Sequence, residues 1–371
     1  MGLNKYRLGD YIERSTANNR TLKYNENLIV GVTSDGVFST PKGNVNGVDL
    51  APYKIVNNGD FVYNPSRFDL GSIAYRTEGL CIVSHLYQIF RLNEKGKEKI
   101  DPIWLFIYLR RKEFRREVTF RNFGSQRPEF NFNDLSEIEL PLPSIQQQRK
   151  YVDVYLALQS NLAVYQSKAD ELKLVCDGYI EELRRKIPCK RIGEYIVELN
   201  IRNSDNKIKE VKSVSVTKEF KHTNAKVNKN ELSNYLVVHP KEIAFVQTTG
   251  NEKVLAFAYN DYDYPVVVSS VDKVFASKKE NVLDLQYLSL FLCRKEFDRY
   301  ARFNSWGSAR EVFTMDDMND VAIPIPDISI QREIVNIHKC YIERQRIANA
   351  LKEQINNICP VLIRGSLEKD V

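Results

Sequence analysis

Histidine is scarce, four in 371 residues and none in an HExxH pair, so the usual histidine-paired metal site is excluded. Cysteine is used little: Cys81, Cys176, Cys189, Cys293, Cys340 and Cys359 stand far apart, with no CxxC pair. That excludes a zinc ribbon and a disulfide framework, and fits a reducing cytoplasm. No run approaches the roughly 18 apolar residues of a membrane span. The opening residues, Met1 to Arg7, are polar and do not form a secretory leader. Also missing are a GxxxxGKS/T phosphate loop, a GxGxxG turn after a strand and a GxSxG elbow. ATP hydrolysis, dinucleotide or S-adenosylmethionine binding and serine-hydrolase chemistry therefore lack their signatures. With 43% hydrophobic and 27% charged residues the composition is that of a folded protein, long enough for two or three domains. The net charge of +6 permits an anionic partner without requiring one.

What is present is a repeat. Arg7-Leu8-Gly9-Asp10-Tyr11-Ile12 returns as Arg191-Ile192-Gly193-Glu194-Tyr195-Ile196. Ile82-Val83-Ser84 with Phe90 returns as Val267-Val268-Ser269 with Phe275, and Arg111-Lys112-Glu113-Phe114 as Arg294-Lys295-Glu296-Phe297. Gly124-Ser125 matches Gly307-Ser308, and Asp134-Leu135 matches Asp317-Met318. Leu140-Pro141-Leu142-Pro143 matches Ile323-Pro324-Ile325-Pro326, and Gln148-Arg149 matches Gln331-Arg332. The order is kept and the offset stays within 183–185 residues, so the chain is two copies of one unit.

Each copy has two parts: residues 1–144 then 145–188, and residues 189–327 then 328–371. The first part mixes turns with short β-rich runs such as Asp60-Phe61-Val62-Tyr63, Gly79 to Ser84 and Val266-Val267-Val268-Ser269. One helix is expected at about Pro102 to Glu117, with a counterpart at Asp284 to Phe303, giving an α+β domain. The second part is helical. Tyr151, Tyr155, Leu158, Leu162, Tyr165, Ala169, Leu172, Cys176, Tyr179 and Leu183 alternate four and three apart. So do Ile330, Ile334, Ile337, Tyr341, Arg344, Ala348, Leu351, Ile355, Ile358 and Leu362. A heptad this long predicts a coiled coil packed through these residues; the alternative is two separate helices, each lying on its own domain. Pro360 is expected to kink or end the second helix.

Reactive constellations are few. Asn64-Pro65-Ser66-Arg67 begins like the Asn-Pro-Pro-aromatic motif of amino-methyltransferases, but it lacks the second proline and the aromatic and reads as a turn. Asp205 with Glu210-Val211-Lys212 loosely matches nuclease carboxylates and reads rather as a solvated loop. No metal site is expected. Two basic, aromatic-interleaved stretches sit at matching places: Arg110 to Arg116 followed by Phe120 to Arg127, and Arg294 to Arg299 followed by Arg302 to Arg310. Arg and Lys neutralise phosphates, and Arg, Asn and Gln also read base edges. Arg121, Asn122, Ser125, Gln126 and Arg127 in one copy, and Asn304, Ser308 and Arg310 in the other, are candidate DNA contacts. Arg67, Gln247, Thr248 and Lys253 are candidates on polar turns, where plain turn chemistry competes.

The doubled pattern resembles the specificity subunit of type I restriction–modification enzymes. The resemblance rests on the Leu8-Gly9-Asp10 and Ile192-Gly193-Glu194 openings and the Gly59-Asp60-Phe61-Val62-Tyr63 strand. It rests too on the Gly-Ser pairs at 124 and 307 and the Pro-x-Pro stops followed by Gln148 and Gln331. There are two departures: Lys241-Glu242 stands in place of the second Gly-Asp turn, and the C-terminal helix carries Pro360. The resemblance implies two homologous target recognition domains, separated by two long antiparallel coiled-coil helices with pseudo-two-fold symmetry. Each domain would read one half of a bipartite, asymmetric site on double-stranded DNA. The helices would dock two methyltransferase subunits for adenine-N6 methylation, with restriction subunits added for cleavage. S-adenosylmethionine, ATP and Mg²⁺ would belong to those partners, leaving this cytoplasmic chain non-catalytic. Two other readings compete: a self-contained Mg²⁺-dependent endonuclease using Asp205 and Glu210, and a coiled-coil adaptor that binds no DNA.

Overall fold

The computed structural model describes residues 4–41, 43, 45, 47–121, 129–223, 226–249, 254–307 and 311–367. The chain forms two compact units: Met1–Val164 with Ile347–Val371, and Tyr165–Arg346. Each unit therefore takes one globular part together with a portion of both long helices, rather than a consecutive stretch of chain.

The globular parts share one antiparallel topology. In unit 1 a four-stranded sheet runs in the order Ile12–Arg14, Gln88–Leu92, Phe61–Tyr63, Ile73–Tyr75. In unit 2 the order is Ile196–Leu199, Lys273–Ser277, Ile243–Phe245, Phe257–Tyr259. Lys5–Arg7 pairs with Glu139–Pro141, and Cys189–Arg191 with Ala322–Pro324, tying each opening to its Pro-x-Pro segment. Gly9 and Gly193 are required by close approach: a Cβ would lie 2.9 Å from Ser136 O in one unit and 2.8 Å from Asn319 Cβ in the other.

The turn before the third strand settles the Lys241-Glu242 departure. Gly59 has φ +91°, and Lys241 adopts φ +70° at the matching place. Asp60 Oδ2 accepts from the Asn57 amide at 2.8 Å, and Glu242 Oε2 accepts from the His239 amide at 2.7 Å. The turn is the same; unit 2 holds a lysine in the left-handed region. Lys241→Gly is expected to raise stability by about 0.5 kcal/mol, measured as a shift in the unfolding midpoint.

The expectation of a single helix in each globular part is corrected. Unit 1 has Pro102–Arg110 then Lys112–Arg121, and unit 2 has Leu285–Leu292 then Lys295–Phe303. Arg111 and Arg294 break them with ψ of 149° and 148°. Side chains stabilise the extended backbone: Arg111 Nε donates to Tyr108 O at 3.1 Å, and the Arg294 guanidinium meets Glu181 and Glu296. Asp101 and Asp284 cap the first helix of each pair by accepting from two backbone amides. Asn131 with Asp134, and Thr314 with Asp317, form capping boxes at matching positions.

The long helices span Ile145–Lys186 and Ile328–Leu367. They pack antiparallel. Val152 and Tyr155 share a cluster with Ile363 and Cys359 in unit 1, and Ile180 and Leu183 share one with Ile334 and Val335 in unit 2. The packing residues Tyr151, Tyr155, Leu158, Leu172, Ile337 and Leu351 are half-buried, and Leu162, Leu183, Ile334, Ile355 and Leu362 are buried. The second-helix heptad is buried or half-buried throughout, Arg344 included. The first departs from expectation at Tyr179, which is 36% exposed, while the neighbouring Ile180 is 2% exposed. Val152, Ile180, Val335 and Ile363 are off-heptad, and each joins a globular core as well. The helix ends thus pack both on each other and on the domains, which widens the buried stripe by a residue. The helix continues through Pro360, and by proline chemistry only the Asn356 carbonyl loses its intrahelical donor.

Each long helix is locked to its domain by one glutamine. Gln148 Oε1 accepts from the Asp101 amide at 2.8 Å, and Nε2 donates to Lys99 O at 2.8 Å and Pro143 O at 2.9 Å. Gln331 repeats this with the Asp284 amide at 2.9 Å and with Val282 O and Pro326 O at 2.8 Å each.

Candidate nucleic-acid interface

The helix breaks present the basic stretches. Beyond each break a short helix turns one face inward, with Phe114 and Val118 buried in unit 1 and Phe297 and Ala301 in unit 2. Charged side chains take the outer face. Arg115 faces the 64–72 turn, where its Nε and Nη2 donate to Asp69 O and Leu70 O at 2.7 Å each. That turn holds Arg67, which is exposed. Its shape comes from Asn64, whose Oδ1 accepts from the Ser66 amide at 3.0 Å, so the turn reading of Asn64-Pro65-Ser66-Arg67 holds for the backbone.

The structure joins candidates that lie far apart in sequence. In unit 1 the Phe130 amide, just after the Gly-Ser segment, donates to Pro65 O at 3.0 Å. In unit 2 the Phe313 amide donates to Gln247 O at 2.8 Å. Val312 bridges Thr248 on one side and Trp306 on the other, and the Thr249 amide donates to Glu311 O at 3.0 Å. In both units, a polar turn after the third strand thus lies beside the chain leaving the basic segment.

Of the candidate contacts, Asn122, Ser125, Gln126, Arg127, Lys253, Ser308 and Arg310 lie outside the described residues. Arg121 ends its helix and pairs with Glu117 at 3.1 Å. Asn304 caps its helix, Nδ2 donating to Tyr300 O at 2.9 Å. Thr248 is exposed and Gln247 half-buried. Reading the sequence passed over the exposed aromatic side chains of the region as separate candidates: Phe120 at 82%, Phe303 at 83% and Trp306 at 76%. Their signal was available in the repeat, since Phe120 and Phe303 are matching positions.

Between each broken helix and the long helices lies a cavity, about 730 Å³ in unit 1 and 530 Å³ in unit 2. Arg111, Lys112, Tyr155 and Cys359 line the first, where Arg294, Lys295, His338 and Cys176 line the second. Burial lowers the pKa of the Arg110 guanidinium in the unit 1 cavity. The Asp205 and Glu210 carboxylates are each held by a neighbouring ammonium, Lys207 at 2.8 Å and Lys212 at 2.7 Å. The Lys212 hydrogen bond holds Glu210 below the usual carboxylate range. Among the described residues no His, Cys, Asp and Glu cluster has the arrangement to hold a metal ion. Among them, too, no helix is long and apolar enough to cross a membrane.

A family model described as "Type I restriction modification DNA specificity domain" matches residues 2–174 and again 196–357. A crystal structure of the type I restriction-modification S subunit from M. genitalium is similar over 100% of this chain and 97% of that one, with 10% identity and a TM-score of 0.62. A structure from work on complex assembly and conformational transition of the type I R-M system is similar over 100% and 98%, with 16% identity and a TM-score of 0.50. No curated protein matches the sequence.

Proposed function

Because the chain belongs to the family of type I restriction modification DNA specificity domains, and carries two of them, we propose that each domain reads one half of a bipartite, asymmetric site on duplex DNA. The observation that carries this is the doubled junction: the Phe130 amide on Pro65 O and the Phe313 amide on Gln247 O. Each brings a polar turn beside the chain leaving a basic segment, so that residues able to neutralise phosphates and to read base edges come from neighbouring stretches. The two half-sites differ because the two surfaces differ: Arg67 belongs to the turn of one, Gln247 and Thr248 to that of the other.

In this reading the chain transfers no methyl group and cuts no DNA. Its paired helices dock two methyltransferase subunits, and restriction subunits join for cleavage. A structural neighbour comes from work on assembly of the type I R-M system, which supports partner subunits of that kind. S-adenosylmethionine, ATP and Mg²⁺ act in those partners, in the cytoplasm.

The test is methylation-aware sequencing of cells carrying the full chain with its methyltransferase partner. Wild type should mark one bipartite motif. Arg127→Ala is expected to relax one half-site and Arg310→Ala the other, each discriminating base contact being worth about 1–3 kcal/mol. An equal loss at all sequences would make the residue a phosphate contact. Methylation unaffected by removal of the whole chain would end the proposal. DNA affinity that does not change with salt would favour the adaptor reading.

A further inference from the structure

Three exposed side chains occupy the same helical positions in both units. They are Lys112, Arg116 and Phe120 in Lys112–Arg121, and Lys295, Arg299 and Phe303 in Lys295–Phe303. Spaced four apart, each trio forms one row along the outer face. Across these nine aligned positions the copies agree only at Lys112, Glu113, Phe114, Arg116 and Phe120 with their counterparts. Phe114 and Phe297 are kept by the core, 2% and 6% exposed. Packing does not account for Phe120 and Phe303, which are 82% and 83% exposed. A single exposed phenyl ring needs no explanation, but the same ring ending the same cationic row in two diverged copies does.

We propose that each row lies along duplex DNA, its two cations on phosphates and its terminal phenyl ring wedged against a base-pair step. This rests on the DNA-reading function proposed above and deepens it. The row carries two cations, with Glu113 or Glu296 beside its first residue; in unit 2 Glu296 also meets Arg299 at 3.4 Å, an exposed pair that a phosphate can replace. Four helical residues advance about 6 Å, over which one DNA strand presents roughly two phosphates. Apolar wedges unstack base steps in this way, and the bend they cause lets more of the protein touch the duplex. In unit 2 a second ring stands close in sequence, Trp306, held by its bridge to Val312. Its repeat counterpart, Phe123, lies outside the described residues.

The experiment selects duplexes from a random library on the full-length wild-type chain. It then measures the affinity of the enriched duplex across a salt series, with a fluorescent adenine analogue scanned through both half-sites. Phe120→Ala and Phe303→Ala are each expected to weaken binding about tenfold, in the range of a lost base–aromatic contact. The slope of log affinity against log salt should stay unchanged, because no phosphate contact is removed. Arg116→Ala should lower that slope by about 0.9. The unstacking signal should vanish at one step of one half-site for Phe120→Ala, and of the other for Phe303→Ala. If both alanine variants bind and unstack the duplex like wild type, the wedge is wrong and the DNA-reading function stands. If, in a parallel pull-down with the methyltransferase partner, they lose that subunit but keep DNA affinity, the ring is a protein contact and the wedge is equally wrong. If wild type enriches no duplex, the DNA-reading function itself fails.

Discussion

Gln148→Ala and Gln331→Ala are each expected to destabilise their unit by about 3–5 kcal/mol, although neither residue is apolar. Both side chains are fully buried. Each satisfies one backbone amide and two carbonyls, so truncation leaves three backbone groups without these partners, the Pro143 or Pro326 carbonyl in buried surroundings and the other two part-buried. At about 1–3 kcal/mol for each orphaned group, less what an entering water restores, the loss outweighs an ordinary surface change of about 0.5 kcal/mol. The geometry makes the effect more than local. Gln148 holds the first turn of Ile145–Lys186 against the Asp101 cap of Pro102–Arg110, so long helix and domain loosen together. Gln148→Glu should be nearly as damaging, because a carboxylate cannot donate to Lys99 O and Pro143 O. The exposed Gln146→Ala is the control. Thermal unfolding of the variants measures the effect; a shift for Gln148→Ala no larger than for Gln146→Ala would remove the clamp from the account.

Those glutamines show what the sequence exposed and what it hid. Gln148-Arg149 and Gln331-Arg332 stood out as matching pairs, which placed the domain–helix junction. Their task was invisible, because the amide at 101 and the carbonyl at 99 come from a segment nearly fifty residues away. The heptad was legible because its spacing is local and every position in the second helix keeps it. Its failure at Tyr179 was not, since the choice of Ile180 is made by the core that includes Leu183 and Val335. The helix breaks escaped notice because no Pro or Gly marks Arg111 or Arg294; the extended backbone there is held by side-chain contacts. At the interface, the composition of the basic segments was readable. Their placement beside 64–67 and 247–249 was not, because it rests on long-range backbone bonds, at Phe130 in unit 1 and at Phe313 and Thr249 in unit 2. Family membership was legible because the doubled order of weak motifs carries it, and the family model matches over both copies.

Asp272→Asn is expected to stabilise unit 2 at pH 8 and to do nothing at about pH 3. Asp272 is 7% exposed, and burial pushes its carboxyl from the ordinary 3.8 up to about 6, opposed by a hydrogen bond from the Ser269 backbone. Its folded pKa thus lies above its unfolded one. Below about pH 3 the group is protonated in both states and indifferent to folding. Between about pH 3 and pH 6 the unfolded chain releases the proton first, so stability falls as pH rises. Above pH 6 the full penalty of a buried carboxylate persists, on the order of 2–3 kcal/mol from the size of the shift. Asparagine has the same shape and can accept the same backbone bond, yet carries no charge, so it relieves the penalty only where aspartate is ionised. Burial also raises Asp60 and Glu242, and both act in the same direction. Their effect is common to wild type and variant and cancels in the difference. Unit 1 is an internal comparison: Tyr87 stands at the matching position and donates its amide to Ser84 O at 3.1 Å, as Asp272 does to Ser269 O. Unfolding midpoints of Asp272→Asn and wild type should coincide at about pH 3 and separate through pH 6. A constant difference across the range would mean that Asp272 keeps the same protonation state folded and unfolded, and that its burial carries no charge penalty.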